Sequence, residues 1–266
     1  MRPAARTSIL SVVLCASSLA LGFMPVPMPA AAQTATCTAP ADATRLDQPL
    51  RRVAKRLAAR EPITIVAIGS SSTSGAGASS SAASYPSRLE VELKERFPHA
   101  RIKVLNRGVG GEEAADMLAR VDKAVLAEQP DLVLWQVGTN TLLRHHRIGP
   151  VGSLIYEGLT QLKASGADVV LIDPQFAPKV TVEPDAAGMV NLIRMAAKAE
   201  NVSVFHRFEV MRHWREASQL PFEAFLSPDG LHMNDWSYAC LAKLLAAAID
   251  DAATRAIAVA GGRPRS

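Results

Sequence analysis

One stretch, residues 63–77 (ITIVAIGSSSTSGAG), constrains the fold of this 266-residue chain more than any other. Its apolar, β-branched first half is typical of a strand that is buried on both faces. The strand stops at Gly69, and three serines and two further glycines follow it. A buried strand that ends in Gly-x-Ser places a hydroxyl group at the carboxyl edge of a sheet, where open α/β folds bind ligands. A flexible Ser/Gly linker is the alternative, and partners for a serine elsewhere in the chain decide between the two.

Four more apolar segments have the length and residue types of buried strands, and amphipathic segments with helical spacing separate them. The further predicted strands are 102–105, 131–137, 168–173 and 202–205. The predicted helices are 47–60, 85–97, 113–128, 151–164, 186–200, 206–217 and 235–258. Strands that alternate with helices form a parallel sheet covered by helices on both faces. The sequence therefore predicts an α/β fold, a single three-layer αβα domain with a mostly parallel five-stranded sheet.

The first 32 residues have the features of an export signal. Arg2 and Arg6 precede an apolar segment, residues 9–23, and small residues around Ala32 offer a cleavage site. An uncleaved membrane anchor is the alternative, but the apolar segment is short for a span and prolines follow it. The predicted organisation is a cleaved signal peptide (1–32), an N-terminal arm and helix (33–60), the main domain (61–258) and a frayed tail (259–266). The protein is therefore predicted to be periplasmic or secreted, with no stable membrane insertion after cleavage.

Charge and motif content exclude several classes of function. The formal net charge of +4 falls by two when Arg2 and Arg6 leave with the signal, so no basic face for nucleic acid is expected. The chain has no P-loop, no GxGxxG motif after a strand and no CxxC pair, which leaves nucleotide and structural zinc sites without their residues.

Two of the three cysteines, Cys37 and Cys240, remain after removal of the signal. In an oxidising compartment they could form a disulfide between the arm and the last helix, or remain one exposed and one buried thiol. Cys15 lies within the signal and follows Leu14, where a lipoprotein site needs a small residue, so no lipid anchor is predicted.

Polar, glycine-bearing turns follow the first three predicted strands, and they contain Ser71, Gly111 and Asn140. The carboxyl ends of parallel strands open on the same edge of a sheet, so these residues should converge. Just before the last helix, Asp229 and His232 are three residues apart, so the carboxylate could hold one imidazole nitrogen. The other nitrogen would then be free to accept a proton from a serine.

These four segments together resemble the motif blocks of the SGNH (GDSL-type) hydrolase family, and the resemblance extends over the whole of 61–258. It implies a flavodoxin-like SGNH hydrolase fold and a serine hydrolase acting on ester bonds, which needs no metal and no cofactor. The resemblance assigns the nucleophile to Ser71, the base to His232 and the acid to Asp229. It assigns the oxyanion hole to the backbone N–H groups of Ser71 and Gly111 and the side-chain amide of Asn140.

Two positions depart from the family pattern: Ser70 stands where the family has aspartate before the nucleophile, and Thr141 stands where aspartate is frequent. Neither position is the Ser, Gly, Asn or His after which the family is named, so the departures bear on substrate preference and loop geometry. The nucleophile elbow of α/β-hydrolases fits less well, because Gly-x-Ser-x-Gly would need a glycine at Thr73.

Exported members of the family include carbohydrate O-acetyl esterases, arylesterases and lysophospholipase or thioesterase types. The small residues of 76–83 do not indicate the long apolar groove of a lipase, so the predicted substrates are short-acyl esters, with acetyl groups on a carbohydrate favoured. Arg144 and His145 follow the Asn140 turn on the same edge and are predicted to contact substrate; a solvated basic loop is the alternative. An acyltransferase or a lysophospholipase/thioesterase of the same fold, and a non-catalytic glycan-binding protein, remain as alternative functions.

Overall fold

The structure, a computed structural model, describes residues 36–261. The predicted signal peptide, with Cys15, and residues 262–266 of the predicted tail lie outside the described residues. Five strands form one sheet: β1 Ile63–Gly69, β2 Ile102–Gly108, β3 Leu132–Gln136, β4 Asp168–Ile172 and β5 Ser203–Phe205. All neighbouring strands are parallel, in the order β2-β1-β3-β4-β5. The predicted flavodoxin-like α/β fold is confirmed.

Eight helices of five or more residues are described: α1 Arg51–Ala59, α2 Tyr85–Arg96, α3 Ala114–Ala119, α4 Thr139–Leu143, α5 Gly149–Ala164, α6 Ala186–Ala199, α7 Arg207–Glu216 and α8 Asp235–Gly261. Single α-helical turns lie at Ala41–Thr44, Ser71–Ser74, Val121–Ala124, Pro178–Thr181 and Phe222–Phe225, and 3₁₀ turns at Ser81–Ala83 and Leu126–Glu128. In residues 36–261, no helix combines the length and apolarity that crossing a bilayer requires.

The sheet is buried because its central strands are apolar on both faces. Every residue of β3 is buried, and the Trp135 indole N–H donates a hydrogen bond of 3.2 Å to the Met117 sulfur in α3. This places Trp135 in the core, as its position in a predicted strand indicates. On the other face, α8 packs against α1 and α2, and its residues Leu241 and Leu245 are fully buried.

The predicted single helix over 113–128 is wrong, because the chain leaves the helical conformation at Arg120 (φ −119°, ψ 4°) and continues as two short turns. The Arg120 guanidinium does not extend into solvent. It reaches back to the Glu112 carboxylate at 2.5–2.9 Å and to the Arg107 carbonyl at 2.8 Å. These bonds attach the end of α3 to the glycine-rich turn after β2.

The N-terminal arm packs closely onto the domain. Ala43 is buried, its carbonyl accepts the His206 N–H at 3.2 Å, and the Trp214 indole donates to the Thr38 carbonyl at 2.9 Å. A disulfide joins Cys37 to Cys240 in α8, which answers the question that the sequence left open. The arm therefore covers the end of edge strand β5, where unpaired backbone groups would otherwise face solvent.

Reducing this disulfide should lower the free energy of unfolding by about 2–5 kcal/mol, because the bridge closes a loop of 203 residues and restricts the unfolded chain. Urea unfolding with and without dithiothreitol measures the difference. The Cys37→Ser variant is the control, since reductant should change its midpoint no further. Equal stability of the oxidised and reduced wild-type protein would contradict the prediction.

Candidate active site

The three glycine-bearing turns converge at the carboxyl edge of the sheet, as the sequence predicts. Ser71 follows β1, Gly111 follows β2 and Asn140 lies in α4 directly after β3. The strand order reverses between β1 and β3, since the chain moves from β1 to one side and then returns to the other. Such a switch point opens a crevice at the carboxyl ends of the strands. The candidate site lies at this crevice.

Of the three consecutive serines that follow β1, only one is accessible. Ser70 and Ser72 are buried, while Ser71 begins the helical turn Ser71–Ser74 and is partly exposed. Ser70 faces inward, where its N–H and hydroxyl both donate to the Gln136 side-chain oxygen, at 2.9 and 3.1 Å. The serine in place of the family aspartate is therefore part of the turn's internal support.

Two glycines side by side let this turn fold over the sheet edge. Gly69 ends β1 directly opposite Gly108 at the end of β2. A Cβ atom at Gly108 would lie 2.2 Å from the Ser74 nitrogen, and one at Gly69 would lie 2.2 Å from the Thr73 hydroxyl. A side chain at either position would therefore displace the segment that carries Ser71.

A chain of hydrogen bonds joins Asp229, His232 and Ser71. The Ser71 hydroxyl lies 2.8 Å from His232 Nε2, and His232 Nδ1 lies 2.5 Å from Asp229 Oδ2. The other carboxylate oxygen, Oδ1, accepts from the Ser227 hydroxyl at 2.8 Å and from the backbone N–H groups of Leu231 and His232, both at 2.9 Å. These three donors fix the carboxylate so that Oδ2 faces the imidazole.

The environment keeps Asp229 ionised. Burial alone would raise the pKa of Asp229, but the hydrogen bonds from the His232 ring and backbone, Leu231 and Ser227 outweigh it and hold the pKa well below its usual value of 3.8. A permanently charged carboxylate favours the His232 tautomer with its proton on Nδ1. That tautomer leaves Nε2 as the acceptor that faces Ser71.

The glycine turn after β2 runs alongside Ser71. A Cβ atom at Gly110 would lie 4.0 Å from the Ser71 Cβ, and Gly111 has a left-handed φ of +82° that glycine adopts without strain. The Asn140 amide donates to the Glu112 carbonyl at 2.8 Å, and its second N–H makes no hydrogen bond within 36–261. The structure thus brings Ser71, Gly111 and Asn140 to one edge of the crevice.

Arg144 and His145 lie at the rim, and both are bonded to neighbouring protein groups. The exposed Arg144 guanidinium donates to the Gly111 carbonyl at 2.8 Å and to the Glu113 carboxylate at 2.6 Å. The His145 ring lies 2.9 Å from the Glu183 carboxylate, on a backbone with φ +55°. Their predicted contact with substrate stays a prediction.

The loop after the nucleophile supports the histidine. A Cβ atom at Gly77 (φ +86°) would lie 2.5 Å from the Met233 carbonyl and 2.9 Å from the His232 Cβ, so only glycine permits this approach. The Tyr238 hydroxyl donates to the Ala76 carbonyl at 2.7 Å, and the Ser79 N–H donates to Asp235 at 2.7 Å. The loop therefore joins the turn that carries Ser71 to the start of α8 and to the His232 segment.

Two buried glutamines that sequence reasoning did not place in the site hold its turns together. Gln136 accepts from Ser70 and also from the Thr73 hydroxyl at 3.2 Å. Gln175 accepts from the Thr139 hydroxyl at 2.9 Å and donates to the Leu231 carbonyl at 3.4 Å, so one side chain contacts the neighbours of both Asn140 and His232. The sequence feature that could have indicated these two residues is a polar side chain within an apolar strand or shortly after it.

A buried guanidinium lies beneath Gln175. Arg207, which is fully buried, donates to the Gln175 oxygen at 3.0 Å and to the Asp173 carbonyl at 2.9 Å. Burial lowers the pKa of Arg207, and the nearby Asp173, Tyr85 and Tyr238 oppose that shift. The cation thus anchors the chain after β4 beneath the crevice. In the described part of the chain, no three His, Cys, Asp or Glu side chains cluster in a way that could hold a metal ion.

Comparisons with known proteins agree with this geometry. The model of the Non-GDSL lipase-like family matches residues 36–255. No curated protein sequence matches the chain. Similar solved structures include a two-domain esterase (CEX) active on acetylated mannans, with a TM-score of 0.67 at 21% identity over 79% of this chain and 56% of that one. This chain therefore spans little more than half of the two-domain esterase.

Two further neighbours are covered almost completely. TesA is similar with a TM-score of 0.61 at 19% identity, over 71% of this chain and 99% of its own. Axe2, an acetylxylan esterase from Geobacillus stearothermophilus, has a TM-score of 0.58 at 18% identity, over 70% and 94%. At such identities the likeness shows a shared fold, and it agrees with the resemblance carried by the Ser, Gly, Asn and His blocks. Since the family model covers most of the sequence, the chain belongs to the Non-GDSL lipase-like family, with the fold of the SGNH (GDSL-type) hydrolases.

Proposed function

We propose that this protein is an exported serine esterase that hydrolyses short-acyl esters, with O-acetyl groups on a carbohydrate as its substrate class. The observation that carries the proposal is the hydrogen-bonded series Asp229–His232–Ser71 at the carboxyl edge of the sheet. A partly exposed serine hydroxyl held by an imidazole, which is itself held by a carboxylate, is the arrangement of an activated nucleophile.

The reaction follows from the donors and acceptors in place. Ser71 Oγ attacks the ester carbonyl carbon while its proton passes to His232 Nε2. The tetrahedral intermediate collapses, and His232 returns the proton to the leaving alcohol oxygen, which leaves the acyl group on Ser71. A water molecule then attacks the acyl-serine, again giving a proton to His232, and the second collapse releases the carboxylic acid and restores the Ser71 hydroxyl.

The oxyanion of each intermediate needs donors that already point at it. In the proposed site these are the backbone N–H groups of Ser71 and Gly111 and the second N–H of Asn140. The first N–H of Asn140 is occupied by the Glu112 carbonyl, which orients the amide plane beforehand. Loss of one such donor typically costs about 10²–10³-fold in kcat.

The substrate class is supported by the neighbours. One is described as active on acetylated mannans and another as an acetylxylan esterase, and both share this fold. Export is supported by the Cys37–Cys240 disulfide, because disulfides persist in oxidising compartments, and by the signal predicted at residues 1–32. An acyltransferase would use the same residues and differ only in the acceptor of the acyl group.

Turnover of p-nitrophenyl esters of increasing chain length tests the proposal. We expect kcat/KM for the acetate to exceed that for the octanoate at least about tenfold, since a site for acetyl groups has no contacts for the longer chain. Acetate release from acetylated mannan and xylan should accompany it. Preference for octanoate would contradict the short-acyl substrate, and transfer to an added sugar in place of water would identify a transferase. If the protein turned over no ester and a fluorophosphonate did not label it, the proposal that it is a serine esterase would be overturned.

A further inference from the structure

We infer that Arg144 is a positioning residue of the oxyanion hole, which it serves by holding the glycine turn 110–113 through the Gly111 carbonyl. The inference rests on the proposed function. It differs from the role in substrate binding that the position of Arg144 in the sequence suggests. The carrying observation is that both terminal nitrogens of its guanidinium are already bonded to this turn.

The bonds come from one short helix and act on consecutive peptide groups. Arg144, the residue that ends α4, donates through Nη2 to the Gly111 carbonyl at 2.8 Å. Asn140, one turn earlier, donates to the Glu112 carbonyl at 2.8 Å. Two adjacent carbonyls of the turn are therefore held by α4, which follows the central strand β3. A rotation of either peptide group would break the bond that holds its carbonyl.

Glu113 holds the guanidinium in place. Its carboxylate accepts from Arg144 Nη1 at 2.6 Å, from the Thr141 hydroxyl at 2.9 Å and lies 3.1 Å from the His146 ring. Burial raises the pKa of Glu113, but the bonds from Arg144, Thr141 and His146 lower it by more, so the pKa lies below its usual value. The anion that orients Arg144 is thus kept charged by its own partners.

The same contacts explain the departure from the family pattern at position 141. Thr141 is buried and donates its hydroxyl to Glu113. An aspartate there would place a second carboxylate against Glu113, and like charges at that distance repel. Threonine at 141 and glutamate at 113 are therefore compatible, and together with Arg144 they form one connected group.

The geometry matters for catalysis because Gly111 is the least restrained residue of the proposed oxyanion hole. Glycine reaches positive and negative φ with similar ease, so the 110–111 peptide group, which carries the Gly111 N–H, keeps its direction only while the neighbouring 111–112 peptide group is held. An oxyanion donor stabilises the transition state only when it is oriented in advance. Losing the Arg144 bond would leave the Gly111 N–H present but free to turn away.

A substitution series separates positioning from substrate binding. For Arg144→Met we expect kcat on p-nitrophenyl acetate to fall about 10–100-fold, somewhat less than loss of a whole donor, with KM within about threefold of wild type. Arg144→Lys, which can still reach one carbonyl, should recover part of the rate. The matched control is Arg147→Met, since Arg147 is exposed and its side chain bonds no residue within 36–261; its rate should stay within twofold.

Two further readouts distinguish this role from a purely structural one. The affinity for 2,2,2-trifluoroacetophenone, whose adduct with a serine carries an oxyanion, should fall by the same factor as kcat while the melting temperature stays the same. Glu113→Gln should lower kcat in the same direction. When Glu113→Gln is combined with Arg144→Met, kcat should fall by less than a further factor of two, because both substitutions disrupt the same set of hydrogen bonds.

Several outcomes would overturn the inference. An increase in KM with unchanged kcat would assign Arg144 to substrate binding. An unchanged kcat and KM would show that the bond from Arg144 to the Gly111 carbonyl is not needed for catalysis. If Arg144→Met does not fold, the Arg144→Lys and Glu113→Gln variants decide by the same kcat and inhibitor ratios. A wild-type protein that turns over no ester would overturn the proposed function, whereas an active wild type with an equally active Arg144→Met would overturn the inference alone.

Discussion

Replacing Ser71 with alanine should lower kcat/KM for p-nitrophenyl acetate by about 10⁵–10⁶-fold, because it removes the atom that forms the covalent bond. The rest of the site should remain. His232 keeps its bond to Asp229, and the Ser70 and Thr73 bonds to Gln136 do not involve the lost hydroxyl. We expect an unchanged melting temperature. Initial rates at equal, known protein concentrations measure the loss of activity.

The neighbouring serine provides the control. Ser72→Ala removes a hydroxyl that is buried one residue away, and it should retain activity within about threefold. A fluorophosphonate should label wild type and Ser72→Ala but not Ser71→Ala. More than about a tenth of wild-type activity in Ser71→Ala would contradict the assignment of the nucleophile. Since Ser70 and Ser72 are turned into the core, neither can replace Ser71 without refolding of the turn.

The strands were predictable because burial on both faces leaves continuous apolar segments, and β1, β3 and β4 are each such a segment. The breaks in the third predicted helix were not. Its residues keep helical spacing, and what ends α3 is the tertiary bonding of one side chain, Arg120, to Glu112 in the turn after β2 and to the Arg107 carbonyl in β2. The packed N-terminal arm depends likewise on a disulfide whose geometry is set by the fold.

The site shows the same division. Parallel strands bring Ser71, Gly111 and Asn140 to one edge, so their convergence follows from the alternation of strands and helices alone. The hydrogen bonds that hold these residues in place do not follow from that alternation. Gln136 contacts Ser70, which is 66 positions away, and Gln175 contacts Leu231, which is 56 positions away. No local pattern in the sequence specifies such pairs.

Replacing Asp229 with asparagine should lower kcat/KM by about 10³–10⁴-fold, equivalent to about 4–5 kcal/mol of transition-state stabilisation, without unfolding the protein. The reason lies in the donors around the carboxylate. The Ser227 hydroxyl and the backbone N–H groups of Leu231 and His232 all point at Oδ1. They would select the amide oxygen of asparagine for that position and turn its NH₂ group towards the imidazole.

His232 Nδ1 would then have to accept a hydrogen bond, and the ring proton would move to Nε2. An Nε2 that carries a proton cannot take the proton of Ser71, so the loss falls on kcat and on the rate of fluorophosphonate labelling. Ser227→Ala is the control, because it removes one donor from Oδ1 but leaves the carboxylate and the tautomer, and it should cost less than about tenfold. Activity of Asp229→Asn within tenfold of wild type would contradict the role of Asp229.

The acid side of the pH profile gives an independent check. The folded-state pKa of Asp229 lies below its unfolded value of 3.8, so the stabilisation from the charged carboxylate is complete above that value and is lost only as the pH falls through the lower folded-state pKa. Any decrease in wild-type kcat/KM that occurs above pH 3.8 must therefore come from a group other than Asp229. Because Asp229 remains charged throughout this decrease, the substitution by asparagine tests its charge and hydrogen bonding at every pH at which the enzyme is active.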